Sequence, residues 1–321
     1  MSKQSVLVLG ADDAIGLAVI AALADSDWAT PVVLASEYSS GAAHAERIAS
    51  NERGTTALST ALTTADAVVA AFSGSPKLIR SQAAALFAAG PTPWQHKRIV
   101  HLSSMTVYGA ASGNVDETTD IGNQLSPYAL SRLESEQLAR AYSNVITLRP
   151  GVEYGPHCGA WSERIARWLL AGRIGDLGAL GDGYCNLVFI EDLAAAIVKA
   201  LRLPEHANQL FNLAAPAPPT WNEYFLSYGK ALGAVPIKRI TRRRLRIETK
   251  LFAPPLKIVE LAGRSIGAQW LAGMPAIPPS VLGVFAQEIA LDASRATAAL
   301  ELHWTPLTEG LKRTARWFQE R

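Results

Sequence analysis

The chain has 321 residues, 49% of them hydrophobic and 18% charged, with a formal net charge of +2 at pH 7. Such a length and composition suit one large domain plus a smaller one around a sizeable core. The near-neutral balance excludes a global electrostatic argument for nucleic acid, and two distant cysteines, Cys158 and Cys185, exclude a disulfide framework and point to a reduced, cytoplasmic setting.

From Ser5 to Leu9 a short apolar run ends in glycine and predicts a fully buried strand. Helical character follows from Ile15 to Ala24. Strands are predicted at Val32–Ala35, Asp66–Ala71, Arg98–Leu102 and Val145–Leu148, with helices at Ser81–Ala89 and Pro127–Tyr142 between them. This alternation, with strands apolar throughout, predicts an α/β fold: a doubly wound parallel sheet covered on both faces. Residues 1–150 read as a dinucleotide-binding domain. Beyond Pro150, glycine-rich turns separate a helix at Ser162–Ala171, a strand at Asn186–Ile190, a helix at Asp192–Leu201 and a strand at Gln209–Leu213. A turn at Pro216–Pro219 leads into a helix from Trp221, and the chain is helical again from Asp292. Residues 151–321 read mainly as a smaller C-terminal substrate-binding α/β subdomain, with segments near 186–213 returning to the first domain.

The first turn, "GADDAIG", sets Gly10 and Gly16 six apart between strand and helix. The first glycine permits a tight turn, and the last lets helix and strand pack closely. N–H groups around Ala14, Ile15 and Gly16 point at an anion. These features predict a dinucleotide site, with the strand end at Ala71 and Phe72 beside it. Asp12 and Asp13 stand where a pyrophosphate must come close. A carboxylate there repels phosphate by about 1–4 kcal/mol in a partly buried site, unless it faces solvent or caps the helix. Capping competes with phosphate for the same donors. An acidic residue about 20 positions after the turn takes the adenosine ribose hydroxyls of NAD. Here Ser36 holds that place with Glu37 next to it. Ser36 tolerates a 2′-phosphate and Glu37 does not, so NAD and NADP both stay open.

Further on, "RIVHLSSMTVYG" runs from strand to loop and "SPYALSRLESEQL" opens a helix. Tyr128 and Arg132 are four apart and share a helix face. A tyrosine serves as acid and base in carbinol–carbonyl exchange when a nearby cation favours its phenolate. Ser104 supplies a hydroxyl to orient the substrate oxygen, and a nicotinamide would exchange the hydride.

The motifs "LVLGADDAIG", "VHLSSMTVYG", "SPYALSRLESE", "LRPGVEYGP", "NLVFIEDLAAAI", "FNLAAPAPPTWNE" and "DASRATAALELHWTP" occur in one order along nearly the whole chain. In them the sequence resembles the extended short-chain dehydrogenases/reductases, the NAD(P)-dependent class that includes UDP-galactose 4-epimerase and the nucleotide-sugar dehydratases. The resemblance implies a Rossmann sheet, Ser104, Tyr128 and Arg132 as the catalytic set, and Arg149–Gly151, hence Pro150 and Gly151, near the nicotinamide. Two departures stand out. Asp13 replaces the central glycine of the family's GxxGxxG turn. Arg132 replaces the lysine of its YxxxK motif, which holds the nicotinamide ribose and favours the phenolate. Arginine keeps the charge but not that geometry. Met105 stands where sugar dehydratases of the family carry an acidic pair, which disfavours 4,6-dehydration.

The reading is an NAD(P)-dependent oxidoreductase of the epimerase/dehydratase type with a nucleotide sugar as its small-molecule substrate. A reductase or hydroxysteroid-type dehydrogenase on a small apolar alcohol or ketone is the enzymatic alternative. A non-catalytic nucleotide-binding relative is the other. The basic run from Lys238 to Arg246 reads first as a solvated helix face, with phosphate binding or peripheral membrane contact as alternatives. Apolar segments around it suit a lid or a homodimer surface. No segment predicts a membrane-spanning helix, a signal peptide or a metal site. His157 reads first as a surface loop residue, with reach to the substrate, which the resemblance implies for its loop, as the alternative, and Asp192 is assigned no chemistry. Asp192 is expected to cap the helix that follows it.

Overall fold

The computed structural model describes residues 3–34, 45–48, 55–87, 97–204, 208–249 and 276–321. Chain order begins β1 (Gln4–Leu9), α1 (Ala14–Ala24), β2 (Ala29–Leu34), β3 (Glu46–Ile48), α2 (Thr55–Thr64), β4 (Ala67–Ala70) and α3 (Pro76–Phe87). It continues β5 (Arg98–Leu102), β6 (Gly113–Val115), α4 (Pro127–Ala139), β7 (Val145–Pro150), β8 (Val152–Tyr154) and α5 (Arg164–Leu170). Then come β9 (Leu187–Phe189), α6 (Ile190–Leu201), β10 (Gln209–Leu213), α7 (Trp221–Ala231) and α8 (Arg242–Ile247). The chain closes with α9 (Pro279–Phe285), β11 (Ile289–Leu291), α10 (Ser294–Ala299) and α11 (Leu307–Gln319).

Seven strands form one sheet in the order β10-β7-β5-β4-β1-β2-β3, and every pair in it is parallel. β4, a continuous apolar run, is buried at every position, and so is β5 with Arg98 and His101 among its apolar residues, as helices covering both faces require. The chain winds outward one way from β1 and the other way from β4, so the topology reverses between these two strands. Ligands of such sheets bind outside the carboxyl ends of the strands at that point. The doubly wound expectation holds. Missing from it were β3, a three-residue edge strand, and α2. Two small parallel pairs, β6 with β11 and β8 with β9, lie beside the sheet.

One apolar core joins Val6 and Val8 of β1, Val19 and Leu23 of α1 and Leu193 and Ile197 of α6. It also takes in Ala296, Leu300 and Leu302 near the end of the chain. A second core is built on Tyr154, Trp168, Phe189, Trp221 and Phe285. Cys158 and Cys185 are both buried in it as free thiols.

Helix α4 docks differently. Its buried residues are Ala129, Ser131, Arg132, Ser135, Glu136 and Ala139, with no large apolar side chain among them. Polar contacts fix it instead. Arg149 of β7 donates to both oxygens of Glu136, from Nε at 2.9 Å and Nη2 at 2.7 Å. His101 Nε2 of β5 lies 2.6 Å from Ser135 Oγ. The Arg149 guanidinium also stacks over the Tyr108 ring at 4.9 Å, and Tyr108 donates to Asn212 of β10 at 2.8 Å. Burial opposes the charge on Glu136, but the hydrogen bonds and charge of Arg149 outweigh it and hold the carboxyl below its usual range. Burial lowers the His101 imidazole to about 4, with the Glu136 and Arg132 charges nearly opposed on it, so His101 is neutral at pH 7.

Arg149→Met strands the Glu136 carboxylate, and the expected loss of stability is about 3–5 kcal/mol at neutral pH. Because the folded Glu136 titrates below its unfolded counterpart, the contribution of the pair is complete above the unfolded value of about 4.3. It is lost as the pH falls through the lower, folded value. Urea denaturation should therefore show the gap between wild type and variant narrowing in acid. A gap independent of pH would mean that Arg149 does not hold the Glu136 charge.

Candidate active site

Gly10 follows β1 directly and Ala71 follows β4, so both lie at the reversal point of the sheet. Gly10 has φ +82°, and a Cβ there would stand 2.3 Å from Ala71 O. A Cβ on Gly16 would stand 2.1 Å from Gly10 O. Both positions admit glycine alone, for the turn and for the close passage of α1 over it. Asp12 is exposed, while Asp13, Ala14 and Ile15 are half-buried. Asp13 is the N-cap of α1, and its Oδ1 accepts from Ala14 N at 2.8 Å. Capping therefore takes one donor. No described residue accepts from the N–H of Ile15 or Gly16, and those two donors face out of the first turn of the helix, where an anion is stabilised. The turn fits a pyrophosphate through Ile15 and Gly16, with the Asp13 carboxylate close by. Ala71 and Phe72 are buried against the same strand ends.

Ser104 leaves β5 and caps the short 3₁₀ turn Met105–Tyr108, its Oγ accepting from Thr106 N at 3.3 Å. That turn packs on α4. Tyr128 stands in the first turn of α4, behind Ser126, whose Oγ accepts from Ala129 N. Arg132, one helical turn on, is 5% exposed. Its Nε and Nη2 both donate to the Tyr128 hydroxyl, at 3.1 and 3.0 Å, and its Nη1 donates to Leu102 O at 3.0 Å. The guanidinium thus ties the phenol oxygen to the end of the strand that presents Ser104. The spacing of four predicted a shared face; it did not predict a fork closed on the tyrosine.

Pro150 and Gly151 are buried at the end of β7. A Cβ on Gly151 would meet Asn186 O at 2.1 Å, so β7 passes into β8 tightly against Asn186. Ser36, expected at the adenosine ribose, lies outside the described residues, as do Glu37 and the apolar stretch 251–263. Asp192 is corrected: Phe189 is the N-cap of α6, and Asp192 lies inside its first turn. Its carboxylate instead accepts from Thr305 N and Oγ1 at 2.8 and 2.7 Å. His157, at φ +66°, is exposed and its ring lies 5.0 Å from that of Trp317. Within the basic run, Arg239 pairs with Asp176 at 2.6 Å and Arg244 donates to Gly172 O at 3.0 Å, while Arg242, Arg243 and Arg246 are exposed. Among the described residues no group of acids, histidines and cysteines could hold a metal ion, and no helix is long and apolar enough to cross a membrane.

Sequence reasoning missed Glu136 and Glu153, and it named Arg149 only as part of the loop near the nicotinamide, not as the partner of Glu136. Glu136 follows Arg132 by four, as Arg132 follows Tyr128, so extending the same period would have found it. Its partner Arg149 lies on another element and gave no such signal. Burial pushes the Glu153 carboxyl, on β8, up to about 7, with the Arg132 charge lowering it and that of Asp13 raising it.

Residues 6–214 match the NAD dependent epimerase/dehydratase family. Protein YeeZ of Escherichia coli K12 is 32% identical over 144 residues, which cover 43% of this chain and 47% of YeeZ. The match thus spans about half the length of that curated relative. MoeE5, solved with UDP-glucose and NAD, is 20% identical with a TM-score of 0.70, covering 98% of this chain and 99% of its own. A UDP-glucuronic acid 4-epimerase from Bacillus cereus, solved with NAD, is 18% identical at a TM-score of 0.71, with 98% and 96% covered. A putative epimerase from Burkholderia cenocepacia J2315 reaches 0.74 at 16% identity, with 100% and 99% covered. At such identities the solved structures speak for the shared fold. The family match, over a glycine turn at the reversal point and a serine–tyrosine–arginine set beside it, shows that the chain belongs to the NAD dependent epimerase/dehydratase family.

Proposed function

We propose that the protein is an NAD-dependent oxidoreductase of the epimerase type acting on a nucleotide sugar. The observation that carries this reading is the Arg132 fork on the Tyr128 oxygen, next to the Ser104 turn. MoeE5, solved with UDP-glucose, and the UDP-glucuronic acid 4-epimerase of Bacillus cereus support a nucleotide sugar over other substrates. In the same reading residues 1–150, with 186–213, form the dinucleotide-binding domain and the rest of 151–321 the substrate side.

Bound NAD would supply a hydride acceptor and donor. Gly10, Ile15 and Gly16 would hold its pyrophosphate. Tyr128 takes the proton from the substrate hydroxyl at its phenol oxygen and returns it there. Arg132 holds the phenol oxygen with two donors and keeps it pointing from α4 toward the end of β5. Ser104 Oγ accepts from Thr106 N, which leaves its own proton free to donate to the substrate oxygen. Met105 is buried beside it and offers no acid, so the residues at this turn support proton exchange at a carbinol and not elimination of water.

Titration with NAD and NADP, in both redox states, is expected to raise the melting temperature. No shift with any of them at millimolar concentration would remove the enzyme reading and favour a relative that has lost the cofactor. Tyr128→Phe should retain cofactor binding and lose about 10²–10⁴-fold in turnover of the UDP-sugar that the wild type converts. Unchanged turnover would exclude Tyr128 from the chemistry. Asp13→Asn keeps the cap and removes the charge, so its affinity for NAD should rise by about tenfold. Equal affinity in a calorimetric titration would mean that the phosphates do not feel the carboxylate.

A further inference from the structure

We infer that one face of the molecule, formed by the end of α5, the loop after α7 and helix α8, docks on an anionic lipid membrane surface. This does not depend on the function proposed above. Val235 and Leu170 are the two most exposed large apolar side chains among the described residues, at 55% and 53%. Distant in sequence, they line one groove of about 290 Å³, with Ala171, Pro236 and Lys238 beside them. Single exposed apolar residues are ordinary on a protein surface, but convergence of the most exposed ones on one groove marks a contact site.

Hydrogen bonds fix this groove to the basic run. Asp176 N donates to Lys238 O at 3.0 Å, and Ile240 N donates to Asp176 O at 2.8 Å. Arg244 of α8 donates from Nη2 to Gly172 O at 3.0 Å, just past the end of α5. A Cβ on Gly172 would stand 3.5 Å from Lys238 Nζ, so the ammonium lies over the same turn. In α8, Leu245 is buried, while Arg242, Arg243, Arg246 and Ile247 are exposed. Spacings of three and four put these four on one side of the helix, away from Leu245. Apolar side chains and cations thus share a surface that is already assembled.

The charge of this surface is not neutralised from within. Its carboxylates are committed: Asp176 pairs with Arg239 at 2.6 Å and Glu248 with Arg173 at 2.8 Å. Among the described residues no carboxylate pairs with Lys238, Arg242, Arg243 or Arg246. Exposed apolar side chains beside unpaired lysine and arginine suit the boundary between headgroups and acyl chains. The apolar groups enter it, and the cations meet the lipid phosphates. A second copy of the chain suits the surface less, because a two-fold axis would set the same cations against one another. Nucleic acid would satisfy the cations but leave Leu170 and Val235 without a role.

The test is co-sedimentation of the full chain with vesicles of phosphatidylcholine and phosphatidylglycerol at about 2:1, and with vesicles of phosphatidylcholine alone, at low and high salt. The chain should sediment with the first and not with the second, and less at high salt. Combined Arg242→Gln, Arg243→Gln and Arg246→Gln should weaken binding by about a hundredfold, at about fivefold per basic residue. Combined Leu170→Ser and Val235→Ser should weaken it by about tenfold. Absence of wild-type binding to the anionic vesicles overturns the inference, and so does undiminished binding by the arginine variant. Undiminished binding by the Leu170 and Val235 variant overturns it as well, since the surface would then be a polyanion site without a membrane anchor.

Discussion

The position of α4 on the sheet is set by charge, and the candidate site depends on that docking. A helix face of alanine and serine gives apolar packing little to grip. Its two buried charged residues, Arg132 and Glu136, can be buried only where partners already wait. Leu102 O at the end of β5 and the Arg149 guanidinium on β7 are those partners. An apolar face tolerates a slide along the sheet. A buried bidentate pair does not, because a shift of one residue strands both charges. Tyr128, two turns before Glu136, is held relative to Ser104 by this constraint.

The same arginine explains how the chain departs from its family without discarding the family's logic. A lysine at that position would offer one ammonium with three donors. Arg132 offers a planar fork: two of its N–H groups reach the phenol oxygen and a third reaches the backbone of β5. The tyrosine is thus positioned by contacts within the protein itself. At the glycine turn Asp13 makes a comparable exchange. It satisfies one orphan N–H of α1 from within the chain and leaves two for a ligand. In both places the residue that departs from the family pattern is engaged by a contact within the chain.

What could be read in advance followed from short-range pattern. β1, β5 and β10 are apolar runs closed by turns, and two of them begin and end where the sequence placed them. Tyr128 and Arg132 are related by one helical turn. Gly10 and Gly16 are related by one loop. The edge strand β3 is three residues long and carries a charge at its first position, so it has no period to detect. Asp192 was misplaced because α6 starts two residues earlier, behind a phenylalanine that gives no capping signal. The Glu136–Arg149 pair joins residues on different elements, and β6 meets β11 across most of the chain. Such contacts exist only once the topology does. Glu153 had the further disadvantage of sitting in a short strand whose neighbours read as core.

The core around β1 has a consequence for how the protein is made. Val6 and Val8 share their apolar cluster with Ala296, Leu300 and Leu302. A ribosome adds about 5–20 residues per second, and N-terminal units usually fold first. Here that cluster is completed only once α10, which packs on β10 and not on β1, has been made. Between the emergence of β10 and that of α10, the apolar patch at this edge of the sheet stays uncovered. That interval, more than the stability of the finished protein, is when it would depend on a chaperone.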